Sequence, residues 1–306
     1  MVKYIIGIDG GGTKTEAIAY SLEGEELGRG YAGFGNLLLG FEEALNNIEL
    51  AIRKCVDMAS QLNNISKCEF IYLGLAGVEA EGIKERVESE LMERFKVRVK
   101  ATNDADIALA AMLKGKDGIL TISGTGSISY GTFNGESGRT GGWGHLLGDE
   151  GSGYFIAMEG FKNIALEEDL GLEKSELTKA YMNRLEIKNV SGIKNFIYSS
   201  SKGEIASLAP IVVRLANEGD EKAIAILKQA GRELAIITER LYKKLDFNGE
   251  VKIAVKGSIL SEVDLVSAEF EKTLRDSIKL FTIVKKEVSP AKGAYYLARK
   301  SMGLPI

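Results

Sequence analysis

Ile5-Ile6-Gly7-Ile8-Asp9-Gly10-Gly11-Gly12-Thr13-Lys14-Thr15 sets an apolar run, an aspartate, three glycines and Thr-Lys-Thr in a row near the start of the chain. The apolar run predicts a buried strand, and the glycines predict a tight turn with exposed backbone. Glycine permits positive φ and lets backbone N–H groups approach a ligand closely. Several such groups in one turn form a concavity for anions, phosphate above all. The threonine hydroxyls and the Lys14 ammonium add donors, and Asp9 at the strand end is placed to hold Mg²⁺ through its waters. The alternative is a glycine-rich turn with no ligand. Three successive glycines exceed what a turn needs, and each is conformationally costly.

Two better-known phosphate loops do not fit. A Walker loop needs G-x-x-x-x-G-K-[ST], but Lys14 follows Thr13. A dinucleotide loop needs G-x-G-x-x-G opening a helix. After Thr15 the chain runs Glu16-Ala17-Ile18-Ala19-Tyr20 and meets Ser21-Leu22-Glu23-Gly24-Glu25, which is too short for a helix. The turn therefore joins two strands of a hairpin.

Outward from this stretch, residues 3–33 predict three strands. Phe41, Leu45, Ile48, Ile52 and Val56 give a helical period over 41–62. Phe70–Leu75 reads as a buried strand, 81–94 as a helix, and Val97, Val99 and Ala101 alternate as a strand ending at Thr102-Asn103-Asp104. The pattern then restarts. A helix over 107–113 precedes the strand Gly118–Ser123, the turn Gly124-Thr125-Gly126, the strand Ser127–Phe133 and the hairpin signal Asn134-Gly135. A glycine-dense loop holds Trp143, His145, Asp149 and Glu150, and a helix starts near Ser152. Residues 150–246 are mostly helical. Val251–Val255 and Phe281–Val284 read as strands with helix between them, and Pro290 opens a last helix over 291–301. A meander followed by βαβ-like units, stated twice, predicts an α/β fold of two related domains with mixed sheets.

The 306 residues suffice for two cores, and 45% hydrophobic with 27% charged residues is the balance of a globular protein. A net charge of −4 disfavours a nucleic-acid partner, so a nucleotide would be held by local donors and a metal. No apolar stretch is long enough to span a bilayer. The first apolar run, cut by Asp9, lacks the order of a signal peptide, so a cytoplasmic protein without a membrane partner is expected. Cys55 and Cys68, the only cysteines, form no C-x-x-C pair. With His145 as the sole histidine they cannot build a zinc site of the usual kind.

The candidate chemistry lies at strand ends, where open α/β sheets place ligands. Asp104 stands between a strand and a helix, as an N-cap or as a general base on an attacking hydroxyl. Asp149 and Glu150 suit a helix N-terminus or the recognition of sugar hydroxyls. Trp143, with glycines on both sides, suits either a core or stacking on a sugar face. Gly257 is a tight turn or a point of close approach to a base or ribose.

Asp9–Thr15, Ser123-Gly124-Thr125-Gly126-Ser127, Gly141–His145 with Gly148–Ser152, Ala206–Asp220 and Lys256-Gly257-Ser258 together resemble the acetate-kinase, sugar-kinase, heat-shock-chaperone and actin superfamily. Within it the chain is similar to the N-acetylglucosamine kinase group, the BadF/BadG/BcrA/BcrD ATPase family. Lys256 departs from the small residue common there. The resemblance implies two ribonuclease-H-like (actin-like ATPase) domains with an interdomain cleft: 1–106 completed by the C-terminal helix 291–306, and 107–290. It implies that Asp104 is the catalytic base and that Asp9 holds Mg²⁺ through water. ATP would be bound by Gly11, Gly12, Thr13, Lys14, Gly124, Thr125, Gly126, Ala206, Gly257 and Ser258. The sugar would be met by Asn36, Gly77, Asn103, Gly142, Trp143 and Asp149. The activity implied is ATP-dependent phosphorylation of an N-acetylhexosamine or hexose (N-acetylglucosamine, glucosamine or glucose) at the C6 hydroxyl, by a homodimer. Two alternatives are an ATPase of the 2-hydroxyacyl-CoA dehydratase activator type and a sugar or nucleotide sensor without transfer. The activator type needs a cysteine-held iron–sulfur cluster, whereas Cys55 and Cys68 lie apart and away from the cluster position.

Overall fold

The computed structural model describes residues 2–62 and 65–306. In chain order the elements are β1 (Val2–Gly10), β2 (Thr15–Ser21), β3 (Glu26–Ala32), α1 (Phe41–Leu62), β4 (Ile65–Leu75), α2 (Ile83–Phe95), β5 (Arg98–Thr102) and α3 (Asp104–Leu113). Then come β6 (Gly118–Ser123), β7 (Ser127–Phe133), β8 (Glu136–Gly141), α4 (Gly153–Asp169), α5 (Glu176–Arg184), α6 (Ser191–Ser199), α7 (Lys202–Ala206), α8 (Ala209–Asn217) and α9 (Glu221–Lys244). The chain ends with β9 (Val251–Lys256), α10 (Ser258–Glu262), α11 (Asp264–Ser277), β10 (Phe281–Val284) and α12 (Pro290–Ser301). No helix among the described residues is long and apolar enough to cross a membrane.

Two compact units result, Met1–Asp117 with Lys286–Ile306, and Gly118–Lys285. Their sheets have the same topology, β3-β2-β1-β4-β5 and β8-β7-β6-β9-β10. In each, the first three strands form an antiparallel meander, and the next two run parallel to the first. The first unit extends through α3, past the boundary expected between 106 and 107. The segment Ala206–Asp220, one of the stretches that carry the resemblance, is divided between the end of α7 and α8.

In the first unit the side chains of β1 alternate between two helical layers. Ile6 and Ile8 pack with Leu45, Ile48 and Ile52 of α1. Burial of each such isoleucine contributes about 1.5–3 kcal/mol. Ile5 joins Ile18, Phe70 and Tyr295 on the opposite face, where α12 lies. There α12 touches the backbone directly. A Cβ on Gly7 would stand 2.0 Å from Ala291 O, and one on Gly293 would stand 1.8 Å from Ile107 O. Lys292 of α12 lies 4.0 and 4.3 Å from the Tyr20 and Tyr295 ring centroids, and burial lowers its pKa to about 8.

In the second unit, β7 and β8 are joined at Asn134-Gly135, both with positive φ (53° and 85°), as a two-residue type I′ hairpin requires. The helices pack around α9, whose Leu227, Leu234 and Leu241 are fully buried. A carboxylate ties three of them together. Glu167 of α4 is 3% exposed and accepts hydrogen bonds from Lys222 Nζ of α9, Thr178 Oγ1 of α5 (2.6 Å) and Ser175 N (3.1 Å). Burial pushes its carboxyl upward, but the donors from Lys222, Thr178 and Ser175 outweigh that and hold it at about 2.

The folded-state pKa of Glu167 thus lies below the ordinary 4.5, and the unfolded chain takes up the extra proton between those values. The stabilisation is complete above 4.5 and lost as pH falls toward 2. Glu167→Gln is expected to lower stability at pH 7 by about 2 kcal/mol. It should also flatten the acid limb, as read from urea unfolding midpoints at pH 7, 4.5 and 3.

Candidate active site

At the first unit's sheet, β1, β4 and β5 run parallel and end side by side. The turn after β1 carries Asp9, Gly11, Gly12, Thr13 and Lys14. Thr13 and Lys14 are exposed, and Gly11 N donates to Lys14 O (3.1 Å). The loop after β3 braces it: Gly35 N and Asn36 N both donate to Gly11 O (2.8 and 3.1 Å), and Thr15 Oγ1 donates to Gly33 O (2.9 Å). Beside Asp9 across the β1–β2 pair lies Glu16, buried and held by Arg29 Nη1 (2.9 Å), Tyr31 OH (2.7 Å) and Ser289 Oγ. The turn after β4 brings Gly77 to Asn36, since a Cβ on Gly77 would lie 2.8 Å from Asn36 Oδ1. Gly77 has φ +79°, so that turn needs glycine on conformational grounds as well.

At the end of β5 the helix cap is Asn103, where Asp104 was one reading. Asn103 Oδ1 accepts from Asp106 N (2.7 Å), and its Nδ2 donates to Glu79 Oε1 (2.9 Å). Asp104 is the first residue of α3. It is exposed, and no hydrogen bond or ion pair from the described residues engages its carboxylate. Capping is therefore done one residue earlier, and Asp104 is left with the favourable charge position of a helix N-terminus.

In the second unit the turn Gly124-Thr125-Gly126 after β6 is braced by the start of α4. Gly153 N donates to Gly124 O (2.7 Å) and Tyr154 N to Thr125 O (3.4 Å), while Ser152, not Asp149 or Glu150, caps α4. Ser127 N donates to Asp149 Oδ1 (3.0 Å), and Lys202 Nζ stands 2.6 Å from Asp149 Oδ2. Asp149 is buried, with φ +65°. Gly257 is fixed by packing, because a Cβ there would meet Ser123 O at 2.3 Å and Gly124 N at 3.1 Å. Ala206 lies against Gly153, its carbonyl 3.7 Å from where a Cβ would be. Gly142 N donates to Ser127 O (3.0 Å). Trp143 is not in a core: it is 63% exposed, with the Arg139 guanidinium 5.0 Å from its ring centroid.

Between α8 and α10 opens a groove of about 520 Å³, lined by Pro210, Val213, Arg214 and Asn217 on one side and Ser258 and Ile259 on the other. Its size suits a small organic ligand. Ser258 was expected as a site residue and the α8 residues lie in the segment 206–220 quoted for the resemblance, but α8's apolar period points to its buried face and singles out none of them for the groove. Lys202 and Glu79 were missed too, since their partners come from other elements.

The glycines of the two turns divide by what surrounds them. A Cβ on Gly10 would strike Leu75 Cδ2 at 2.5 Å, and one on Gly126 would stand 2.5 Å from Lys202 Nζ and 2.7 Å from Asp149 Oδ1. Nothing lies within 4 Å of where a Cβ on Gly12 or Gly124 would stand, and neither Gly10–Gly12 nor Gly124 nor Gly126 has positive φ. The expected use of positive φ is thus absent from both turns. Gly12 and Gly124 have neither a packing nor a conformational reason to be glycine, which leaves the approach of a ligand to bare backbone.

The family model described as the BadF/BadG/BcrA/BcrD ATPase family matches residues 6–298. An N-acetylmuramic acid/N-acetylglucosamine kinase of Clostridium acetobutylicum is 33% identical, over 97% of this chain and 99% of its own. An N-acetyl-D-glucosamine kinase of Dictyostelium discoideum is 32% identical, over 97% and 98%. Among solved structures, a candidate N-acetylglucosamine kinase from Chromobacterium violaceum superposes with a TM-score of 0.68 at 25% identity, covering 97% of this chain and 98% of that one.

Gly12→Ala is expected to leave stability within about 0.5 kcal/mol, because its methyl enters open space. It should weaken Mg·ADP more than about tenfold if the phosphate lies on that backbone, the loss of about one hydrogen bond to a charged group. Gly10→Ala should instead lose about 1–3 kcal/mol of stability through overpacking against Leu75. Thermal unfolding and calorimetric titration separate the two.

Proposed function

The chain belongs to the BadF/BadG/BcrA/BcrD ATPase family, and from that premise we propose that it is an ATP-dependent sugar kinase that phosphorylates N-acetylglucosamine, or a related hexosamine or hexose, at the C6 hydroxyl. N-acetylglucosamine leads because the kinases of Clostridium acetobutylicum and Dictyostelium discoideum are both named for it. The observation that carries the reading is the pair of turns whose Gly12 and Gly124 stand in open space, together with an unengaged carboxylate at the start of α3.

In this reading Gly11, Gly12, Thr13 and Lys14 take phosphate in the first unit, and Gly124, Thr125 and Gly126 take it in the second. Ala206, Gly257 and Ser258 flank the adenosine, with the groove between α8 and α10 as the place for its base. Asn36, Gly77, Asn103, Gly142 and Trp143 receive the sugar, whereas Asp149, buried with its oxygens turned to Ser127 N and Lys202 Nζ, holds the second turn instead. Asp104 accepts the proton of the C6 hydroxyl as that oxygen bonds to the γ-phosphorus and the bond to the ADP oxygen breaks. No cluster of three acidic, histidine or cysteine side chains among the described residues could hold a metal. That donor set fits Mg²⁺ carried mainly by water and phosphate oxygens with Asp9 as the protein carboxylate, and such an ion supplies charge neutralisation. We place the enzyme in the cytoplasm, where ATP is abundant, as a homodimer.

The cysteines favour no iron–sulfur reading. Cys55 is fully buried and donates to Gly28 O, and burial pushes both thiols up to about 12, far from the thiolates a cluster needs.

The test is ADP release with Mg·ATP against glucose, mannose, glucosamine, N-acetylglucosamine and no sugar. Sugar-dependent release is expected, and equal release without sugar would overturn the kinase reading. Asp104→Asn should lower turnover about 10²–10⁴-fold, the usual contribution of a general base. Its unfolding midpoint should stay near that of the parent, because Asn103 and not Asp104 caps the helix.

A further inference from the structure

We propose that Lys202 is a phosphate-binding residue of the second turn, its ammonium bridging the Asp149 carboxylate and a phosphate of the bound nucleotide. The inference rests on the kinase reading above and adds a residue to it. Lys202 is the first residue of α7, and its backbone is fixed by a capping box. Ser201 Oγ accepts from Glu204 N (3.3 Å), and Glu204 Oε2 accepts from Ser201 N (2.7 Å). From there the side chain reaches the turn after β6. Its Nζ is 2.6 Å from Asp149 Oδ2 and 2.5 Å from where a Cβ on Gly126 would be, so the ammonium lies on the turn itself.

The electrostatics of the turn require a cation. Asp149 is 3% exposed, and its Oδ1 lies 2.7 Å from the same point beside Gly126. A phosphate settling on Gly124–Gly126 would lie beside that buried carboxylate, and at low local dielectric the two repel. Lys202 offsets it. An ammonium has three donors, and the Lys202 side chain is 31% exposed, so donors remain for a second anion beside the ion pair with Asp149. The open space at Gly124 gives that anion room.

Calorimetric titration of Mg·ADP and of adenosine tests this. Lys202→Met is expected to weaken Mg·ADP about 10- to 100-fold, the loss of one charge-assisted hydrogen bond, with adenosine unchanged. Lys202→Arg should recover most of the affinity. Unchanged Mg·ADP affinity in Lys202→Met, or an equal loss for Mg·ADP and adenosine, overturns the proposal. Lys202→Met leaves a buried carboxylate unpaired and can cost folding. The same comparison is therefore made between Asp149→Asn and the double variant Lys202→Met/Asp149→Asn, where the double is expected to bind Mg·ADP at least about tenfold more weakly. Equal affinity in that pair overturns the proposal as well. A parent protein that binds neither Mg·ADP nor adenosine refutes the kinase reading itself, a result distinct from all of these.

Discussion

The first unit depends on two points where backbones touch because neither residue has a side chain. At Gly7 the strand β1 meets the carbonyl of Ala291, and at Gly293 the helix α12 meets the carbonyl of Ile107. Any Cβ at either point would overlap an oxygen. With both in place, α12 lies against β1 on one side and α3 on the other, and Ile5, Ile18, Phe70 and Tyr295 close into a seam beneath it. The ends of β1, β4 and β5, which carry Asp9, Gly77 and Asp104, are then set by a sheet covered on both faces.

Local rules made much of this fold legible. The alternation in β1, the period of α1 and the Asn134-Gly135 hairpin each depend on neighbours within a few residues, and each was readable. The return of α12 was readable as a helix opened by Pro290, but its partner is Gly7, and no periodicity links positions that far apart. The same blindness misplaced the unit boundary. Ile107 looks like the start of a new element in sequence, yet the helix containing it is sealed by Gly293, so α3 stays with the first unit.

The candidate site was legible in its residues and less so in its reasons. Gly10, Gly11 and Gly12 stood out, but for a positive φ that none of them adopts. What matters is bulk: Gly10 is held by Leu75 and Gly35, whereas Gly12 faces open space. Asn103 and Asp104 are both good caps by type, and one residue of register decides which is spent on the helix. Asp149 was found by its loop, while Lys202, 2.6 Å from it, was invisible because a lysine after a Ser-capped turn looks like any surface lysine until the loop is folded over it.

The order of the elements along the chain sets a schedule for synthesis. The second unit is continuous, but the first is split around it. A ribosome that has delivered β1 to α3 must make the whole of 118–285 before α12 exists. Domains generally fold as they emerge, N-terminal first. Here the second unit can close before the first does, while the face of Ile5, Ile18, Tyr20 and Phe70 stays uncovered. That face gains its cover only with the arrival of residues 290–301, so the first unit finishes last although its strands are made first.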